Sequence, residues 1–452
     1  MKYVFLFTFV FALQIATAQD YKFGKISKEE LQETSNSNDP EANATVLYRN
    51  QDVYFEYVEN KGFVQKNEIQ ERIKIYNKEG FDQATKEVLL YNGSNGNVES
   101  LINLKAYTYN LEGKKIVDEK LKSEGVFEEE KNKYWNVTKF TMPNIKEGCI
   151  IEYRYTIQSE LLRIDDIVFQ QDIPIKKLDF KLVIPEFYNY KKYPNVSALY
   201  YPRLNETVKE KTVYLSGEKK TSIEHVGFRQ ARSDYSKPEW KYTENISTAN
   251  LDNIPALKNE THVSNIDNYR AIMKMDLSYI KYPDQMPKNY ATNWEEVTKT
   301  IYDSNDFGEQ LKKDGYYEDD LNSAIAGATE PLEQIYNIFN FVKNKVKWND
   351  FHGYYTDLGV RQAYKQGAGN VADINLILIS MLRKAGLNAN PVLISTKANG
   401  VPLFPTRNGF NYVICAVNTE QGMVLLDASK SFTSLNVLPV KVLNWQGRLI
   451  RR

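Results

Sequence analysis

The stretch ADINLILISMLRKAG, residues 372–386, constrains this chain more than any other. Ile374, Leu376, Ile377, Leu378, Ile379, Met381 and Leu382 fall on nearly every side of a helix, so the helix must be buried on several sides at once. Such a helix needs other elements packed around it, and Gly386 is suited to the position that ends it. The preceding residues, GAGNVAD from 367 to 373, open it. A helix N-terminus behind glycines favours a reactive thiolate, because the helix dipole lowers the thiol pKa. Here the place is taken by Val371, which can neither attack nor bind metal nor carry a proton.

The elements able to cover this helix are nearby in sequence. Three apolar strands follow it: ANPVLIST, FNYVICAV and GMVLLDAS. Two helices precede it. Thr292 and Glu295 have capping-box spacing ahead of Trp294, Val297 and Ile301, which share one face. Thr329 is placed to cap the second, with Pro331 in its first turn and Leu332, Ile335, Phe339, Val342 and Val346 as its stripe. The pattern predicts an α+β domain over about residues 290–446.

Residues 45–185 have a different periodicity. Ile151, Tyr153, Tyr155 and Ile157 alternate with Glu152, Arg154 and Thr156, and Leu178, Phe180, Leu182 and Ile184 repeat the pattern before Pro185. Period-two alternation is the mark of half-buried strands. Asn77 to Gly80 and Asn110 to Gly113 read as hairpin turns, and FEEEKNKYW, from Phe127 to Trp135, as a solvated one. Gly93-Ser94-Asn95-Gly96 lacks the strand-to-helix setting of a phosphate loop and also reads as a turn. An antiparallel β-sandwich over residues 19–280 is expected, with 242–260 as an extended connection near its end.

Residues 1–18 stand apart. Lys2, the apolar run from Val4 to Ile15 and the small-residue site Ala16-Thr17-Ala18 form a secretory signal pattern, and the run is shorter than a membrane span requires. Export to the periplasm, cell surface or exterior is expected, with no transmembrane segment after cleavage. Lys plus Arg equals Asp plus Glu at 58 each, which argues against a nucleic-acid partner. Cys149 and Cys415 are the only cysteines, and His225, His262 and His352 the only histidines. Their scatter points to no disulfide framework and no metal site, and no cofactor is implied. The 32 tyrosines read first as strand packing, with a glycan-stacking role as the sharper alternative.

The order of a helix entered through glycine, then AGLNANPVLIS, FNYVICAV and VLLDAS, resembles the core of the transglutaminase-like superfamily. VKNKVKW, ending at Trp348, is similar to the helix and tryptophan that precede the catalytic cysteine there. MPNIKEGCIIEYRYTI and DNIPALKNE resemble the β domain of unknown function, and its connection, that precede such cores in secreted bacterial proteins. The resemblance implies a papain-like core whose cysteine lies at the helix start, with a histidine and an aspartate on the next strands. It places the cysteine position on Val371, the histidine position on Tyr412 and the aspartate position on Asp427. Trp348, His352, Gly369, Asn370, Asp373 and Asn411 would line the cleft. The similar proteins also continue beyond the segment matching LNWQGRLI.

A thiolate forms the acyl-enzyme in this chemistry, and an imidazole takes and returns protons. Valine replaces the first, and tyrosine, with an unperturbed pKa of about 10, is a poor base at neutral pH. Cys415 should face away from Tyr412, by strand alternation, and Ser380 lies too far down the helix to replace the nucleophile. The expectation is a catalytically inactive protein that binds or scaffolds at the cell envelope, with a peptide, protein or glycan as partner. A cysteine-independent hydrolase or amide-transferring enzyme, and a purely structural envelope module, are the alternatives.

Overall fold

The computed structural model describes residues 21–93, 98–132, 134–214, 239–290, 293–402 and 404–451. The signal-type segment, Ser94 to Gly96, residues 215–238 and Thr292 lie outside the described residues. The chain forms two compact units that no single cut in sequence separates. One comprises the described residues up to Glu160 with Ile173–Leu182 and Thr248–Pro255; the other comprises Leu161–Asp172, Val183–Ser247 and the remainder from Ala256.

The first unit is mostly β. The main sheet runs in the order Asn205–Tyr214, Glu239–Ile254, Ile175–Pro185, Ala44–Val58, Gly62–Ile75, Ile150–Ser159, Ser100–Glu112, Lys115–Lys120. Gly113, at φ +62°, makes the two-residue turn that pairs Glu112 with Lys115, as the glycine there predicts. Residues 77–80 do something else. They open a 3-10 helix, Lys78–Ala84, which carries the chain into a second sheet of Thr85–Tyr91, Trp135–Thr141 and Val126–Asn132. Phe140 from this sheet meets Tyr153 of the main sheet edge to face at 5.5 Å.

Two expectations for this region need correction. Residues 242–260 are not a plain connection, because Glu239–Ile254 is a sixteen-residue strand. Nor is Ile150–Ser159 half-buried: Glu152 is fully buried, opposite the tyrosine face. The segment around the short helix Lys28–Gln32 supplies Leu31, which packs with Leu47, Tyr109 and Ile150. The carboxylate stays buried because Arg72 meets it through Nε at 3.0 Å and Nη2 at 2.8 Å, while Arg72 Nη1 reaches Glu30 at 2.8 Å.

In the second unit, Tyr188–Pro194, Ile272–Ile280 and Lys288–Asn289 form a small antiparallel sheet, which Ile167–Val168 joins. The helices Trp294–Tyr302, Glu318–Ala324, Pro331–Lys345 and Val360–Gln366 precede the central helix Val371–Lys384. A four-stranded sheet follows, in the order Gly422–Leu426, Tyr412–Thr419, Asn388–Ile394, Arg448–Leu449. From Val371 to Leu382 every residue of the central helix is buried, as its all-round apolar pattern demands. Its end follows the expected glycine rule: Gly386 is left-handed at φ +84°, its N–H reaches Arg383 O, and Leu387 N–H reaches Leu382 O.

The earlier helices differ at their starts. Asn293, accepting from Glu296 N, caps Trp294–Tyr302. Glu330, rather than Thr329, precedes Pro331–Lys345, and no side chain caps that helix. Proline at its first position leaves one fewer donor to satisfy. In its stripe Ile338 is buried while Leu332 is 37% exposed.

Candidate functional site

Three short elements converge on the start of the central helix. Trp348 pairs in parallel with Gly369, which sets the loop after the tryptophan beside Val371. A side chain at Gly369 would come within 2.7 Å of Asp373 Cβ and 3.0 Å of Ala363 Cβ, so only glycine fits this entry. Asn370 and Asp373 form a reciprocal capping box, with Asn370 Oδ1 accepting from Asp373 N at 2.8 Å and Asp373 Oδ2 from Asn370 N at 3.0 Å. The remaining groups of this pair hold the loop in front, through Asn370 Nδ2 to Tyr355 O at 2.9 Å and Gly359 N to Asp373 Oδ1 at 3.0 Å. Asn411 is likewise spent internally, bonded to Thr396 through both ends of its amide.

Val371 is fully buried, in a cluster with Tyr412, Val392, Ile394, Ile414 and Val442. Tyr412 begins the strand Tyr412–Thr419, and Asp427 follows its neighbour Gly422–Leu426; the two strands are antiparallel and join across Thr419 and Gly422. Both side chains are completely buried. The Tyr412 hydroxyl donates to Asp427 Oδ2 at 2.8 Å and lies 2.9 Å from Ser429 Oγ. Asp427 Oδ1 accepts from Ser429 N at 2.9 Å and from Asn375 Nδ2 at 3.0 Å. Burial first, then the Asp427 charge, pushes the Tyr412 phenol well above its ordinary range. It is a fixed donor at neutral pH, not a base.

Asn375 escapes a reading centred on reactive residue types. It sits one turn after Val371, bonds Val413 O and Asp427, and accepts from Ala428 N at 2.9 Å. The signal for it is in the sequence: a lone amide among ADINLILIS has to find partners once buried.

His352 does reach this centre. Its ring stacks on Trp348 with centroids 5.0 Å apart, and lies 5.6 Å from the Tyr412 ring. Lys441 Nζ is 3.0 Å from His352 Nε2 and 4.9 Å from the centroid of Trp348, while Lys430 Nζ lies directly over the same indole. Burial, then the charges of Lys441 and Lys430, lowers the His352 pKa to about 4. Burial and Lys441 lower that of Lys430 to about 8. Neither lysine is visible as a site residue in the sequence, because only the fold brings them to Trp348.

The other candidates lie elsewhere. Cys415 is buried on the opposite face of the strand with Val413 and Val417, and its thiol is pushed far up by burial. Cys149 is also buried and free. Ser380 Oγ is 2.7 Å from the Tyr317 hydroxyl inside the core.

A buried helix whose N-terminus meets an antiparallel sheet carrying facing residues on adjacent strands is the architecture of a papain-like core. Residues 319–421 match the model of the transglutaminase-like superfamily, and residues 65–218 match that of DUF3857, a domain of unknown function. The chain carries a DUF3857 region followed by a transglutaminase-like core. A solved Parabacteroides distasonis protein described as a "putative protease" is similar in fold, with a TM-score of 0.52 at 12% identity over 86% of this chain and 67% of that one. A Legionella pneumophila protein described as a "putative nutrient binding protein" gives a TM-score of 0.19 at 8% identity, over 67% of this chain and 80% of that one, too low to carry an argument. No curated protein matches the sequence.

Proposed function

We propose that this protein is an exported, non-catalytic member of the transglutaminase-like group that binds a ligand at the cell envelope through its altered centre. One observation carries the reading: the hydroxyl of Tyr412 is hydrogen-bonded to Asp427 at 2.8 Å beside a sealed Val371. In acyl transfer the aspartate orients an imidazole that activates the nucleophile. Here a neutral phenol occupies the aspartate's attention and a valine stands at the nucleophile position, so neither acyl-enzyme formation nor proton return has a group to perform it. His352 supports the reading from the other side. With its pKa lowered to about 4 it is neutral at pH 7, but its Nε2 faces an ammonium rather than a nucleophile.

The similar Parabacteroides protein is described as a "putative protease", which makes a cysteine-independent hydrolase the reading to beat. That rival needs a nucleophile, and the buried thiols of Cys149 and Cys415 are poorly placed to be one. Native mass spectrometry of protein from its own host tests export and binding together. The expected mass is that of a chain beginning at Gln19 with a non-covalent peptide or glycan. A chain retaining Met1 in a membrane fraction would contradict export, and a ligand-free chain would favour a structural module.

A further inference from the structure

Two lysines from separate elements meet on one indole. Lys430 follows the turn after Asp427, and Lys441 lies in the 3-10 helix Val440–Val442, whose Val442 packs in the cluster of Val371 and Tyr412. Lys441 Nζ lies 4.9 Å from the Trp348 centroid and 5.7 Å from that of Tyr412, and Lys430 Nζ lies over the same Trp348 ring. Trp348 is itself held in place, its Nε1–H donating to Phe351 O at 2.8 Å.

Like charges this close repel, and proteins ordinarily relieve them with a carboxylate. None of the described carboxylates forms an ion pair with either lysine within 4.0 Å. Asp427 is the natural candidate, but it is sealed behind Tyr412 with both oxygens taken by Asn375, Tyr412 and Ser429. Asp427 and Asp350 act on the lysines only from a distance, and for Lys430 the repulsion by Lys441 ranks above both attractions. Both ammonium groups are partly exposed and have donors to spare.

We propose that Lys430 and Lys441, set on the Trp348 ring, form an anion-binding site at the mouth of the altered centre, taking a carboxylate or phosphate group of the ligand. This rests on the reading of that centre as a binding site, and it gives the ligand a chemistry: at least one anionic oxygen group. A bound oxyanion would supply the compensation that the chain withholds, through charge-assisted hydrogen bonds.

The test is calorimetric titration of the full chain at fixed ionic strength with N-acetylglutamate, the neutral N-acetylglutamine amide and inorganic phosphate. At least one anion should bind saturably, with the neutral N-acetylglutamine amide weaker than N-acetylglutamate by about tenfold or more if carboxylate is the group recognised. Lys430→Gln and Lys441→Gln should each weaken the bound anion by about tenfold, Lys441→Arg should keep most of the affinity, and Lys61→Gln should change nothing. Tighter phosphate than N-acetylglutamate would assign a phosphate-bearing ligand, and the reverse a carboxylate. Saturable binding by neither anion, or glutamine variants that bind like the parent, would overturn the proposal. Hydrolysis of an N-acetylglutamyl anilide is followed in the same samples to separate the two claims. Turnover with anion binding intact sinks the non-catalytic reading alone, whereas no binding and no turnover sinks the anion site alone.

Discussion

Glu152 in the β unit and Asp427 in the transglutaminase-like core are both completely buried carboxylates, and they are satisfied in opposite ways. Glu152 is gripped by the guanidinium of Arg72, which is 1% exposed and also holds Glu30. Asp427 forms no ion pair among the described residues. Its oxygens take an amide, a phenol and a backbone N–H, all neutral. Glu152 is given a cationic partner, because a lone buried ion is costly. Asp427 is held by neutral donors alone, at the position where the resemblance to the transglutaminase-like group would put the partner of an imidazole. The contrast fits Asp427 as a residue of the proposed site, and Glu152 as a fastening of the sheet.

The largest effect should come from breaking the charged fastening. Arg72→Met strands Glu152 and Glu30 in the interior and should cost about 3 to 5 kcal/mol in chemical denaturation; a loss under about 1 kcal/mol would erase the contrast. Tyr412→Phe removes one neutral donor and should cost about 1 to 3 kcal/mol, while Val371→Cys, close in volume, should cost less than about 1.5 kcal/mol. A Tyr412→Phe protein as stable as the parent would mean that Asp427 does not depend on the phenol.

The smallest effect concerns pH. His352 has its pKa lowered from 6.5 to about 4 among Lys441, Lys430, Trp348 and Tyr412, with Asp427 and Asp350 opposing the shift. Because the folded state favours the neutral ring, its contribution to stability is complete above pH 6.5 and is lost as pH falls toward 4. In an NMR titration the His352 ring should show a midpoint far below 6.5, and Lys441→Gln should raise it. An unshifted midpoint would contradict the placement of the lysines around it.

Much of this was legible in the residues. All-round apolarity from Ile374 to Leu382 fixed a buried helix, and alternation placed Cys415 on the face away from Tyr412. The hydrogen bond from Tyr412 to Asp427 could be anticipated, since adjacent strands with a short connection bring the two side chains together. What periodicity could not reveal was long-range. Glu152 looks solvent-facing until residues 21–33 cover it, and residues 77–80 resemble a hairpin turn until the chain is seen to change sheets. Lys430 and Lys441 carry no local signal at all. A lysine in a turn and another in a 3-10 helix become a pair only through the position of Trp348.

The central claim is that the tyrosine and valine leave the core without acyl-transfer chemistry, and turnover measures this directly. Stringently purified full chain should release no product from amide, peptide and ester substrates above the buffer rate, and Asp427→Ala and His352→Gln should leave that background unchanged. Product formation that survives purification and disappears in either variant would contradict the account, because it would place a working base or nucleophile where a sealed Val371 and a phenol now stand.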